Sequence, residues 1–224
     1  MIRPFVLLLA LALCGAAQAE GLDFSAAERR IFGEEVRAAI LADPSPVAGA
    51  LFPPAPDLYA EAAAEDRARL EAQAGLFKAT ERGFGASAPR LTIVFFEAYP
   101  CPDCADAWAE LAALMARHPD IRVEPRFARD GAVPQLLLSL LDREGPDAYR
   151  DARTRLMAAQ TEAELAEILA EGRWTQDRMM RPAPREEAAA FAALELESTP
   201  AYVLPGLMLQ GAIPQIVLEK YVSE

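Results

Sequence analysis

Histidine and cysteine are scarce in this sequence: one His, at position 118, and three Cys, at 14, 101 and 104, among 224 residues. A single imidazole leaves no obvious Ser-His-Asp or Cys-His catalytic apparatus. A closed zinc site needs about four nitrogen or sulfur ligands, which one subunit of this composition does not supply. Basic charge is also short: Lys and Arg number 22 against 34 Asp and Glu, a formal charge of −12. With no basic stripe, neither nucleic acid nor an anionic membrane is expected as a partner. No segment after the N-terminus is apolar over the ~20 residues a membrane-spanning helix needs. Gly83-Phe84-Gly85 precedes a strand instead of following one, so it is a poor dinucleotide fingerprint. Internal repeats and low-complexity segments are absent as well.

What is present begins with a leader. Arg3 is followed by the apolar run Phe5 to Leu13 and then by Ala17-Gln18-Ala19, the pattern of a secretory signal peptide over residues 1–19, cleaved after Ala19. Cys14 suggests a lipid attachment site, but bulky Leu13 stands where a small residue belongs. Cleavage removes Cys14 and leaves Cys101 and Cys104 as the only thiols, in an oxidising compartment. The expected location is the periplasm.

Residues 20–88 read as an N-terminal helical extension. Ser25 and Glu28 have capping-box spacing ahead of a helix over 25–41, and 57–80, rich in Ala, Glu, Arg and Leu, predicts a second. Pro44, Pro46, Pro53, Pro54 and Pro56 separate them. Helices this few and polar either pack on the main domain or pair with another subunit, so residues 21–88 are the expected segment for homo-oligomer formation.

Residues 89–224 form the main α/β domain. Leu91 to Phe96 is a continuous β-branched and aromatic run, typical of a strand buried on both faces. A helix over about 103–117 ends at His118-Pro119, and 120–127 alternates like a second strand; strand, helix, strand implies a parallel pair. About 133–196 reads as a helical insert, with Thr161 and Glu164 as a capping box and Met179 and Met180 as helix packing. Pro205-Gly206 then joins two short strands in a hairpin, and 213–222 closes the chain with a helix.

The chemistry concentrates in Tyr99-Pro100-Cys101-Pro102-Asp103-Cys104. A C-x-x-C between a buried strand and a helix puts a cysteine where the helix N-terminus stabilises an anion. A Cys101 thiolate there is the attacking sulfur, and Cys104, one turn on, resolves the mixed disulfide. Pro102 suits the first helical position. An inert staple is disfavoured because so short a loop constrains the unfolded chain little. A two-thiolate copper site is the remaining metal reading. Trp108, one turn past Cys104, has the pattern of a core or boundary residue.

Leader, C-x-x-C after a buried strand, helical insert and Glu197-Ser198-Thr199-Pro200-Ala201-Tyr202-Val203 before a hairpin together resemble the DsbA-like thioredoxin-fold proteins of bacteria. The nearest subgroup is the exported one with an N-terminal helical extension, the ScsC-like isomerases. The resemblance is best over 91–127 and 197–222. It implies a thioredoxin-like α/β fold with an inserted helical domain, Cys101 as nucleophile and Cys104 as resolving thiol. It also implies Pro200 as a cis-proline facing the disulfide, with Thr199 binding substrate backbone. No cofactor is implied, since the disulfide carries the electrons. Partners would be exported cysteine-containing proteins and an unidentified redox partner. The alternative is a non-catalytic periplasmic protein that holds copper or an exported partner with its thiols.

Two departures stand out. Asp103 occupies the place before the second cysteine where members often carry an aromatic or histidine, and a carboxylate there opposes the Cys101 thiolate. Phe95 occupies the place of a buried acid. Glu97, two residues on, either replaces that acid in proton transfer or is exposed at the strand end.

Overall fold

The computed structural model describes residues 24–45, 47, 59–175 and 179–223. The leader with Cys14 and the prolines at 46, 53, 54 and 56 lie outside the described residues. The chain divides into two compact units between Asp57 and Leu58. The first contains helix α1 (Ala26–Ala42), which starts with the expected capping box: the Glu28 N–H donates to Ser25 Oγ, and the Ser25 N–H donates to the Glu28 carboxylate. No residue of α1 is buried, and Ile31, Phe32, Val36 and Ile40 remain 39–51% exposed.

The second unit is built on a five-stranded sheet whose strands lie in the order β1 (Phe84–Gly85), β3 (Ile121–Phe127), β2 (Leu91–Glu97), β4 (Ala201–Leu204) and β5 (Leu207–Gln210). Strand β2 (Leu91–Glu97) lies parallel to β3 (Ile121–Phe127), with Ile93 opposite Val123 and Glu97 opposite Phe127. The connecting helix α3 (Cys104–Arg117) buries Cys104, Ala107, Leu111 and Leu114, one apolar stripe at helical spacing. Strand β4 (Ala201–Leu204) runs antiparallel to β2, and β5 (Leu207–Gln210) returns along β4. Their turn is Pro205-Gly206, as expected, and Gly206 takes a φ of +83° that a β-branched or bulky residue resists.

Strand β1 (Phe84–Gly85) was not expected. It pairs antiparallel with β3, and Gly85, at φ +91°, lies so close to the Ile121 carbonyl that a Cβ would collide with it. Gly85 of the Gly83-Phe84-Gly85 stretch therefore serves a close backbone approach. Helix α2 (Ala60–Ala72) and a 3₁₀ turn (Ala74–Phe77) replace the single helix expected over 57–80. They belong to the second unit, where Leu70 and Leu76 cover Val94 and Phe96.

The stretch 133–196 contains helices α4 (Ala132–Glu144), α5 (Pro146–Met157), α6 (Glu162–Gly172) and α7 (Ala183–Ala193). The first three share a hydrophobic cluster around Phe127, whereas α7 joins Val94 and Phe96 on the other sheet face. Thr161 Oγ accepts from the Glu164 N–H, but the Glu164 carboxylate reaches the Gln160 N–H instead of closing a box. Met179 and Met180 do not pack a helix as expected; they are non-helical and 66% and 73% exposed, just ahead of Pro182 and Pro184. Helix α8 (Gln215–Val222) lies against α3, burying Leu218 and Val222 in the cluster that holds both cysteines.

Candidate active site

Cys101 and Cys104 form a disulfide with Cα atoms 5.3 Å apart. Cys101 is 3% and Cys104 0% exposed, and both belong to the cluster of Ile93, Phe95, Leu111 and Tyr202. Helix α3 begins one residue later than expected, at Cys104, so Pro102 lies in the turn before the helix and not at its first position. Closure of this turn is a bond from the Cys104 N–H to the Cys101 carbonyl, 3.1 Å. Asp103 is the N-cap residue, yet its side chain caps nothing and is exposed. The helix start therefore faces the disulfide without a side-chain cap, an arrangement that favours an anion on the neighbouring sulfur.

Thr199-Pro200 is a cis bond, as the resemblance implied, and Tyr99-Pro100 is a second. Phe96 pairs with Ala201, so antiparallel register carries Pro200 alongside Glu97 at the strand end that leads into the cysteine turn. The Pro200 carbonyl accepts from the Gly211 N–H at 2.8 Å, tying this segment to the end of the hairpin. Pro200 is buried and Thr199 half-buried.

Glu97 is not exposed at the strand end; it is 0% exposed. The pleat keeps it on the face of Phe95, as its parity requires. Arg153 of α5, 1% exposed, donates from Nε to both carboxylate oxygens at 3.0 Å and from Nη2 at 2.5 Å. The Tyr99 hydroxyl donates to the same carboxylate at 2.7 Å. Burial pushes the Tyr99 hydroxyl well above its ordinary pKa, and the Glu97 charge adds to the rise. Burial alone would weaken the Arg153 guanidinium, but Glu97 and the tyrosines more than offset it and raise its pKa. The guanidinium lies 3.8 Å from the centre of the Trp108 ring, and Trp108 also contacts Phe84 and Phe95. Trp108 is thus a boundary residue, half-buried between sheet, helix and ion pair.

Sequence reasoning did not find Arg153. The available signal was its place among Tyr149, Ala152, Leu156 and Met157, the buried stripe of α5, where a charge is out of pattern. His118, expected to end helix α3, is its C-cap, and its Nε2 lies 2.7 Å from Glu219. No group of three or more His, Cys, Asp or Glu able to hold a metal occurs among the described residues.

No family model matches the sequence, and no curated protein does either. Solved structures do resemble it. A linker-deletion mutant of ScsC from Proteus mirabilis superposes with a TM-score of 0.62 at 20% identity, over 91% of this chain and 97% of that one. A periplasmic thioredoxin-like protein from Salmonella enterica gives 0.54 at 23% identity, over 67% and 93%. The thiol-disulfide exchange protein alpha-DsbA2 from Wolbachia pipientis gives 0.58 at 14% identity, over 73% and 97%. The chain has a thioredoxin-like fold with helical insertion, of the kind found in DsbA-like proteins. Within that fold, a C-x-x-C disulfide stands between the central strand and the helix that follows it.

Proposed function

We propose that the protein is a periplasmic thiol-disulfide oxidoreductase that exchanges disulfides with exported cysteine-containing proteins. The observation that carries this reading is the Cys101–Cys104 disulfide at an uncapped helix start. In the reduced form, the Cys101 thiolate attacks a substrate disulfide, forming a mixed disulfide and releasing one substrate thiolate. Cys104 passes its proton to the released substrate thiolate, attacks Cys101 Sγ and releases the second substrate thiolate. Two electrons pass to the substrate, and the Cys101–Cys104 disulfide forms again. The reverse sequence oxidises a dithiol. Thr199 and Pro200 would hold the substrate chain extended beside the pair. A separate redox partner must reset the centre, and no organic cofactor enters the exchange.

Asp103 gives this reading a direction. Its exposed carboxylate opposes a thiolate two residues away and offsets part of the helix-terminus effect. A less stabilised thiolate makes a less oxidising disulfide, which suits isomerase or reductase work. Insulin reduction and refolding of a scrambled substrate test the activity, and Cys101→Ala should abolish both. Copper binding without turnover would favour the alternative of a thiol-based binding protein. A Cys101 pKa near 3.5, that of the strongest oxidant of this class, would overturn the role of Asp103.

Helix α1 bears on assembly. Its exposed stripe of Ile31, Phe32, Val36 and Ile40 supports self-association through the N-terminal extension.

A further inference from the structure

We propose that Arg153 is a positioning residue for the Cys101–Cys104 centre, joining helix α5 to both flanks of the cysteine pair through Glu97, Tyr99 and Trp108. This inference rests on the redox reading of the pair and deepens it. On the N-terminal flank, Arg153 grips Glu97, and Glu97 accepts the hydroxyl of Tyr99, two residues before Cys101. On the C-terminal flank, the same guanidinium covers Trp108, one helical turn after Cys104. One planar group therefore makes a forked ion pair and an aromatic stack at once, which a lysine ammonium cannot do. An ion pair buried this deeply adds little net stability over apolar residues of the same volume. Its use lies in what it orients.

The pair also sets the charge behind the disulfide. Tyr149 faces Glu97 and Arg153 from α5, and Arg82 with Glu187 lies beyond it. On the cysteine side stand Asp103 and Asp106, both exposed. While Glu97 and Arg153 compensate each other, the cysteines feel little net field from them. Removing Glu97 leaves a buried cation, which favours the thiolate. Removing Arg153 leaves a buried carboxylate, which opposes it. A residue that merely held the fold together would not move the thiol in opposite directions.

The test is titration of thiolate absorbance in the reduced full chain. Glu97→Gln should lower the Cys101 midpoint and Arg153→Met should raise it, each by about 0.5–1 pH unit. The double variant, neutral at both positions, should return to within about 0.3 unit of the parent. Folded single variants whose midpoints shift the same way, or do not shift, overturn the proposal. Where a single variant does not fold, Arg153→Lys decides, because it keeps the charge but loses the fork and the stack. It should hold the parent midpoint yet exchange with glutathione disulfide about threefold more slowly, and an unchanged rate overturns the proposal. If the parent protein exchanges with no disulfide at all, the redox reading fails, while the opposed midpoint shifts still decide the role of Arg153.

Discussion

The second unit buries two ionic networks, one on each face of its sheet, and they differ in what they hold. On the face of Phe95, Glu97 and Arg153 form one pair beside the cysteine turn, finished by aromatic rings. On the other face, Arg122, Glu124 and Arg126 project from alternate positions of β3. Glu124 accepts the N–H and hydroxyl of Thr80 at 3.0 and 2.7 Å and is paired with Arg122 and Arg126. The arginines reach on to backbone carbonyls of Leu76, Lys78, Thr80 and Ala86. Glu187 of α7 pairs with Arg82 and accepts the Phe127 N–H at 2.9 Å.

The contrast lies in the choice of partners. Backbone carbonyls dominate the second network, so it fastens residues 76–86 and α7 to the sheet. Side chains at both flanks of the cysteines dominate the first, so it orients the site. Burying charge needs complete pairing in either case, but only the Glu97 pair is joined, through Tyr99 and Trp108, to residues that flank the cysteines.

The largest expected effect comes from breaking the anchoring network. Glu124→Ala takes the carboxylate from Arg122 and leaves Arg126 only its longer carboxylate contact to Glu187, and loss of one partner in a buried pair costs about 3–5 kcal/mol. Denaturant unfolding should register that loss, while the Cys101 titration midpoint should stay at the parent value. A shifted midpoint would erase the distinction between the two networks.

Acid should produce a smaller effect at the same place. Burial alone would raise the Glu124 pKa, but the bonds from Thr80 and the two arginines hold it below its ordinary 4.5. The unfolded chain therefore binds the proton first as pH falls. The stabilisation from Glu124 is fully present above about 4.5 and is lost as pH drops through the lower folded value. Stability measured against pH should decline in that window, and Glu124→Gln should flatten the decline.

The smallest effect on the second unit should come from the first. Ile31→Ser with Val36→Ser should leave unfolding of the second unit unchanged and reduce the sedimentation coefficient if α1 mediates self-association. An unchanged coefficient would remove that role from α1.

Much of the fold was legible because it depends on local pattern. The run Leu91–Phe96, the alternation of β3, the Pro205-Gly206 turn and the Ser25–Glu28 box each carry their own signal. The cysteine pair carried its own motif, whereas the cis bond at Thr199-Pro200 was legible only through the family resemblance. What stayed hidden depends on pairing across the chain. Strand β1 exists only because Gly85 can approach Ile121. Arg122, Glu124 and Arg126 look like the solvent face of a strand, yet every residue of β3 is buried. Arg153 and Glu187 were marked only by a charge within an otherwise buried helical stripe, and Glu97 by an acid ending an apolar run. Naming their partners requires contacts 56 and 60 residues apart.

As proposed, Cys101–Cys104 is a working redox centre of moderate oxidising strength. Equilibration of the pair with a glutathione redox buffer tests it most directly. A potential between about −270 and −120 mV, nearer the thioredoxin end of that range, is the predicted result. A potential below about −300 mV, as for structural disulfides of secreted proteins, would contradict it.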